Sequence, residues 1–482
     1  MSARKVSMKN HPYSSTRGRF APSKSAMRVM FAVAFFLMVL KPVPPCCGED
    51  KKASEIMEAA SRNIEKYRKA DAALRFITDS GQPVKDATVT IEQTNHDFLF
   101  GNIIFPVVGV LGKFEDIQVY RPELFKQRFA DVFNMAIFPF YWSSYEPIPG
   151  REDWDKIVPI LDWCRLNGIT PKGHPLAWVE RGGTPRWLYD LPADLTVELL
   201  KARITRIVKG FDGQIDIWDV VNEPTHTITW SAVMKKPYGE RYTAIPIKDI
   251  ADWVEKCYRW AHEANPAAQL IVNDYEQIVT HFIPDTRQRF YDLVAELKKR
   301  NTPLHGIGLQ AHAIEYWYSP QEFWETLNYY AKLGLPIHIT EFIPQSSGND
   351  IRGDWKEGKW TKEAQAEFAE QTYRLSFGHR SVASINWWGL SDRYIWAERP
   401  GGGLIDENYR PKPAYTKIRQ LIKDEWMTKT SARTAEDGSI DFRGFYGDYK
   451  ITLKTSQEGV HTFNIHLDAK EANRWEFQLS SN

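Results

Sequence analysis

Between residues 98 and 426 the chain alternates short, nearly continuous apolar runs with stretches whose apolar residues recur at helical spacing. The apolar runs fall at 98–104, 134–140, 170–177, 215–221, 270–274, 306–311, 337–342 and 382–388. The helical stretches fall at 154–167, 195–209, 250–264, 287–300, 320–333, 362–376 and 413–426. A strand that is apolar on both faces must be covered on both, as in a parallel sheet flanked by helices. Eight such repeats over roughly 330 residues predict an α/β fold of the (β/α)8 TIM-barrel type, running from 98 to 426.

Outside that span the period changes. Residues 52–68 predict an amphipathic helix with Ile56, Ala60, Ile64 and Tyr67 on one side. Residues 72–91 and 428–482 show period-two alternation, predicting a small N-terminal β unit within 49–97 and a C-terminal β module over 427–482. The tail is read as a sandwich, or as half of one that residues 72–96 complete. Packing against the barrel is its first expected role and sugar binding the second. The first 48 residues differ again, with Arg4, Lys5, Lys9, Arg17, Arg19, Lys24 and Arg28 and no acid before Glu49. Twelve apolar residues at 29–40 follow, too few for the ~20 that span a bilayer but suited to the apolar region of a secretory signal. The expectation is an exported protein, secreted or periplasmic, with no membrane span in the mature chain. An uncleaved anchor is the alternative.

Charge narrows the partners. Lys and Arg number 62 against 61 Asp and Glu, and removing the first 48 residues leaves 54 against 61, a net charge of −7. No basic field recommends nucleic acid. Cys164 and Cys257 lie inside helical patterns and carry no motif. G-x-S-x-G, H-E-x-x-H and paired C-x-x-C segments are missing, so no metal and no cofactor are expected, and the chain is expected to act as a monomer. Gly306 to Ala311 fits a loose dinucleotide pattern but lies within a strand and leads into His312 instead of a helix. Tryptophan is the compositional surplus: 16 of the 18 lie between Trp142 and Trp396, where aromatic faces either fill a core or stack on sugars.

Barrel enzymes carry their chemistry where strands end, which shortens the search. The third predicted strand ends in Gly173-His-Pro-Leu-Ala-Trp178 and the fourth in Trp218-Asp-Val-Val-Asn-Glu-Pro224. The fifth ends in Asn273-Asp-Tyr-Glu276, the sixth in Gln310-Ala-His312, the seventh in Thr340-Glu-Phe342 and the eighth in Trp387-Trp-Gly389. Glu223 and Glu341 thus stand three strands apart, facing each other across the mouth. Two carboxylates across a cleft are what hydrolysis of a glycosidic bond requires, one to protonate the leaving oxygen and one to attack or to activate water.

These segments, together with Ile271-Val-Asn-Asp-Tyr275 and the run from Trp388 through Trp396 to Tyr415, match the motifs of one family in order and spacing. The chain resembles glycoside hydrolase family 10, the endo-β-1,4-xylanases. The resemblance implies a retaining double displacement on a xylan-like polysaccharide or oligosaccharide, with Glu341 as nucleophile and Glu223 as acid and then base. It further implies that Asn222 binds the 2-hydroxyl, that His312 hydrogen-bonds Glu341, and that His174 and Gln310 line the same subsite within walls of Trp178, Trp388 and Trp396. The chain also departs from the pattern. Phe138-Pro-Phe-Tyr-Trp142 stands in place of an Asn-Glu-x-Lys-Trp segment, Val179 in place of a His, and Ile343 in place of an acid two residues after the nucleophile. Another β-linked glycan as substrate, and a binding protein that has lost turnover, are the competing readings.

Overall fold

The computed structural model describes residues 47–109, 119–180, 182–226, 245–278, 285–313, 315–456, 459–470 and 472–479. The export segment expected at 1–48 lies outside the described residues but for Cys47 and Gly48, which open a helix over Cys47–Tyr67.

Eight parallel strands close into a barrel: β3 (Leu99–Ile103), β4 (Met135–Pro139), β5 (Thr170–His174), β6 (Ile217–Asn222), β7 (Gln269–Asp274), β8 (Gly306–Leu309), β9 (Ile337–Phe342) and β10 (Val382–Trp387). They neighbour one another in chain order, and β10 pairs β3 to complete the circle. The predicted third strand ends three residues early, at His174, because Pro175 has no N–H to give the ladder; the chain rejoins it only through the bridge between Ala177 and Val221. The interior is packed to contact. Gly173 is required there, since a Cβ on it would lie 2.1 Å from the buried Trp218 ring. A helix over Pro122–Ala130 covers the barrel between β3 and β4, where the sequence pattern marked none. Its nine residues carry only Leu124, Phe125, Phe129 and Ala130 as apolar positions, too few for periodicity to show.

The flanking segments share one core. Residues β1 (Lys69–Ile77) and β2 (Thr88–His96) precede the barrel; β11 (Lys429–Arg433), β12 (Ser439–Phe445), β13 (Gly447–Lys454), β14 (Val460–Leu467) and β15 (Arg474–Gln478) follow it. One sheet is ordered β12-β1-β15 and the other β11-β2-β13-β14, so each N-terminal strand lies inside a sheet built mostly from the tail. Leu74, Phe76, Val89, Ile91, Ile451, Leu453 and Leu467 fill the space between the sheets. Arg68 ties this pair to the barrel, donating to the carbonyls of Phe377, His379 and Val382 at 2.7 to 2.8 Å.

Candidate active site

The strand ends deliver their polar side chains to one space at the C-terminal mouth of the barrel. Glu223 follows the last residue of β6 with φ +54°, a left-handed conformation that costs a side-chain-bearing residue energy and persists only where its surroundings hold it. Its N–H donates to the Asn273 carbonyl at 2.7 Å. Its carboxylate accepts from Trp178 Nε1 at 2.8 Å and from Gln310 Nε2 at 3.0 Å. Glu341, on β9, is 5% exposed and accepts from Asn273 Nδ2 at 2.8 Å. His312 Nε2 lies 3.3 Å from its other oxygen, and His174 Nε2 lies 4.0 Å from the first.

Amides join the two carboxylates. Asn273 Oδ1 accepts from Thr340 Oγ1 at 2.6 Å, which fixes the amide so that Nδ2 donates both to Glu341 and to Asn222 Oδ1, the latter at 2.8 Å. With Asn222 Oδ1 so engaged, its Nδ2 is the group able to reach a sugar hydroxyl. Gln310 completes the chain to Glu223.

Burial is the largest influence on both acids, and it pushes each up to about 7. For Glu223 the negative charge of Glu341 adds to the rise, and Gln310 opposes it. For Glu341 the opposing influences are His174, the Asn273 hydrogen bond and Lys172. Because the charge of Glu341 acts on Glu223, the two carboxylates lose their protons as a pair, the first loss making the second harder. His312, expected from the resemblance to hydrogen-bond Glu341, contributes as a neutral donor. Burial, with help from the Arg399 charge, holds it well below the usual histidine range, so the ring is neutral. Its Nδ1 is buried with no hydrogen-bond partner among the described residues, which favours the proton on Nε2, directed at Glu341.

Beneath the mouth, His174 Nδ1 meets Asp219 Oδ2 at 2.8 Å, and Lys172 Nζ meets the same oxygen at 2.9 Å. All three side chains are about 1% exposed. Burial alone would raise Asp219, but Lys172 and His174 outweigh it and hold the acid below its ordinary range. Trp388 stands edge-on to His174 with ring centres 5.1 Å apart. Trp178 and Trp396 pack with Tyr141, Phe105, Ile343 and Trp388 as one apolar wall. Phe138 and Phe140 from the departing segment turn into the core, whereas Tyr141 reaches the mouth, 5.6 Å from Trp178 between ring centres.

All nine residues selected from the sequence therefore meet in one space. Sequence reasoning did not single out Asn273, Lys172, Asp219, Asp274 and Tyr141. Their signal was present, because Lys172 and Asp219 are charges set within strand runs and Asn273 and Asp274 end another. Among the described residues no group of three or more His, Cys, Asp or Glu is arranged to hold a metal, and no helix is long and apolar enough to cross a membrane.

A profile of glycosyl hydrolase family 10 matches residues 121–421. The chain belongs to this family. Among relatives, the beta-1,4-xylanase of Dictyoglomus thermophilum is 30% identical over 292 residues, covering 58% of this chain and 78% of that protein. The anti-sigma-I factor RsgI6 of Acetivibrio thermocellus is 26% identical over 429 residues, covering 89% of this chain and 50% of its own length. The crystal structure of xylanase 10B from Thermotoga petrophila RKU-1 in complex with xylobiose superposes with a TM-score of 0.55 at 25% identity, covering 68% of this chain and 95% of that one. As a family 10 glycoside hydrolase, the chain carries its two strand-end glutamates at the C-terminal mouth of the barrel.

Proposed function

We propose that this chain is a retaining endo-β-1,4-xylanase. The observation that carries the proposal is the pair of glutamates at the ends of β6 and β9, wired to each other through Asn273, Asn222 and Gln310. Glycosyl transfer to a carboxylate needs one acid ionised and one protonated, and a coupled pair near neutrality supplies that state between its two proton losses. Glu341, which His174 and Lys172 favour as the anion while Glu223 meets the negative charges of Glu341 and Asp274, takes the ionised role, attacking the anomeric carbon. Glu223 gives its proton to the departing oxygen, and then draws a proton from the water that releases the glycosyl-enzyme. Asn222 would hold the 2-hydroxyl, with His174, Gln310 and His312 around it and Trp178, Trp388 and Trp396 as walls. The named activities of the xylanase relatives support xylan as the polysaccharide.

The same proposal takes the enzyme to be a cofactor-free monomer and, on the strength of its basic and then apolar first 48 residues, places it outside the cytoplasm. Tyr141 and its neighbours favour one second reading, a different β-linked glycan, because they put aromatic surface where the resemblance implies polar sugar contacts. The test is product analysis on xylan, glucan and mannan with the wild type and with Glu341→Ala and Glu223→Ala. Both variants should lose activity by about 10³-fold or more. Wild-type activity in both variants on every β-1,4-glycan would sink the proposal, and products from glucan or mannan alone would move it to the second reading.

A further inference from the structure

The turn that carries Glu223 is held by a histidine–aspartate pair with no part in the chemistry above. Asp274, the last residue of β7, is fully buried and its carboxylate accepts four hydrogen bonds. Oδ2 takes the Thr225 N–H at 3.0 Å and the Thr225 hydroxyl at 2.6 Å. Oδ1 takes the Tyr275 N–H at 2.9 Å and faces His226 Nδ1 at 2.5 Å. The His226 ring is fully buried and lies flat on Tyr275, ring centres 3.5 Å apart. With the backbone bond from Glu223 to Asn273, the residues after β6 are thus pinned to the end of β7 at several points, and the left-handed Glu223 is the residue they constrain.

We infer that His226 is a positioning residue that does two things for Glu223: clamped on Asp274, it fixes the turn, and in its protonated form it sets a positive charge near the acid. The inference rests on Glu223 being the acid and base of the reaction. Charge supports it. Burial alone would lower His226, but Asp274, Glu223 and Glu276 together raise it above the ordinary histidine value. The ionisable groups facing the pair among the described residues are Glu223 on its own turn, Tyr275 and Glu276 after β7, and Tyr330, whose phenol feels the Asp274 charge, with Glu341 across the mouth acting on Glu223. A buried cation beside Glu223 favours the carboxylate that must exist in the second half of the cycle. It also keeps the acid from holding its proton too tightly under the influence of Glu341.

The test is the pH dependence of kcat/KM on an activated aryl β-glycoside of the chain's best substrate, for the wild type, His226→Asn and Thr225→Val. Asparagine keeps a donor near the position of Nδ1 but carries no charge, so the alkaline limb set by Glu223 should move to higher pH by roughly one unit. Thr225→Val loosens the same clamp without altering any charge, and should lower the rate with the limb unmoved. An unmoved limb in His226→Asn overturns the charge role and leaves only a structural peg. A control separates this from failure of the functional reading: Glu223→Ala should abolish the alkaline limb, and if the limb survives there, Glu223 is not the acid.

Discussion

The barrel mouth and the paired sheets are held together on opposite terms. In the sheets, apolar side chains such as Leu74, Val89, Ile451 and Leu467 make the core, while ion pairs such as Lys85 with Glu436 and Lys429 with Glu92 stand at exposed positions. At the mouth, Lys172, Asp219, His174 and Glu341 are all buried, and Glu223 lies partly buried in a strained turn. Buried charge is poor cement, since desolvation consumes much of what pairing returns. The mouth is therefore arranged for chemistry at some cost in stability, and apolar packing elsewhere offsets that cost.

Substitutions sharpen the contrast. The largest effect should come from Lys172→Met, which leaves Asp219 buried without its cation and should cost about 4 kcal/mol in denaturant unfolding. A loss no greater than that of a surface lysine would break the comparison. The reverse sign is expected for Glu341→Gln. The wild-type acid is raised to about 7 when folded against an ordinary 4.5, so its protonated form is favoured by folding. That contribution is complete below about pH 4 and is lost as pH rises through 7. Glutamine, which never ionises, should therefore be stabilising by up to about 3 kcal/mol at pH 8 and should give no gain at pH 4, as read from paired thermal melts. Smallest of all, Lys85→Gln should leave the melting temperature indistinguishable from wild type, because both partners of its ion pair stand largely in water.

How much was legible follows the same division. The barrel strands were readable because each is a nearly continuous apolar run, and the residues at their ends stood out as polar interruptions. Glu223 and Glu341 could be chosen on that ground alone. Asn273 could not be given its role, because that role depends on a rotamer set by Thr340, a residue 67 positions away. His312 was legible as a neighbour of Glu341, but not as a neutral one. Its charge state depends on burial and on Arg399, which linear spacing does not report. Tyr141 was visible only as a departure from a pattern, and its packing against Trp178 gives the departure a physical shape. The helix at Pro122–Ala130 was too short for its period to emerge.

The interlaced sheets also set an order of events. Lys69 pairs with Phe445 and Thr88 with Lys454, so strands made before the barrel wait for partners made after it. During synthesis the edges of β1 and β2 stay unpaired until the strands after the barrel emerge, and such edges invite pairing with the wrong chain. The strands after the barrel are thereby the clasp of the paired sheets, and a ribosome that stopped at the end of the barrel would release β1 and β2 as two orphaned strands.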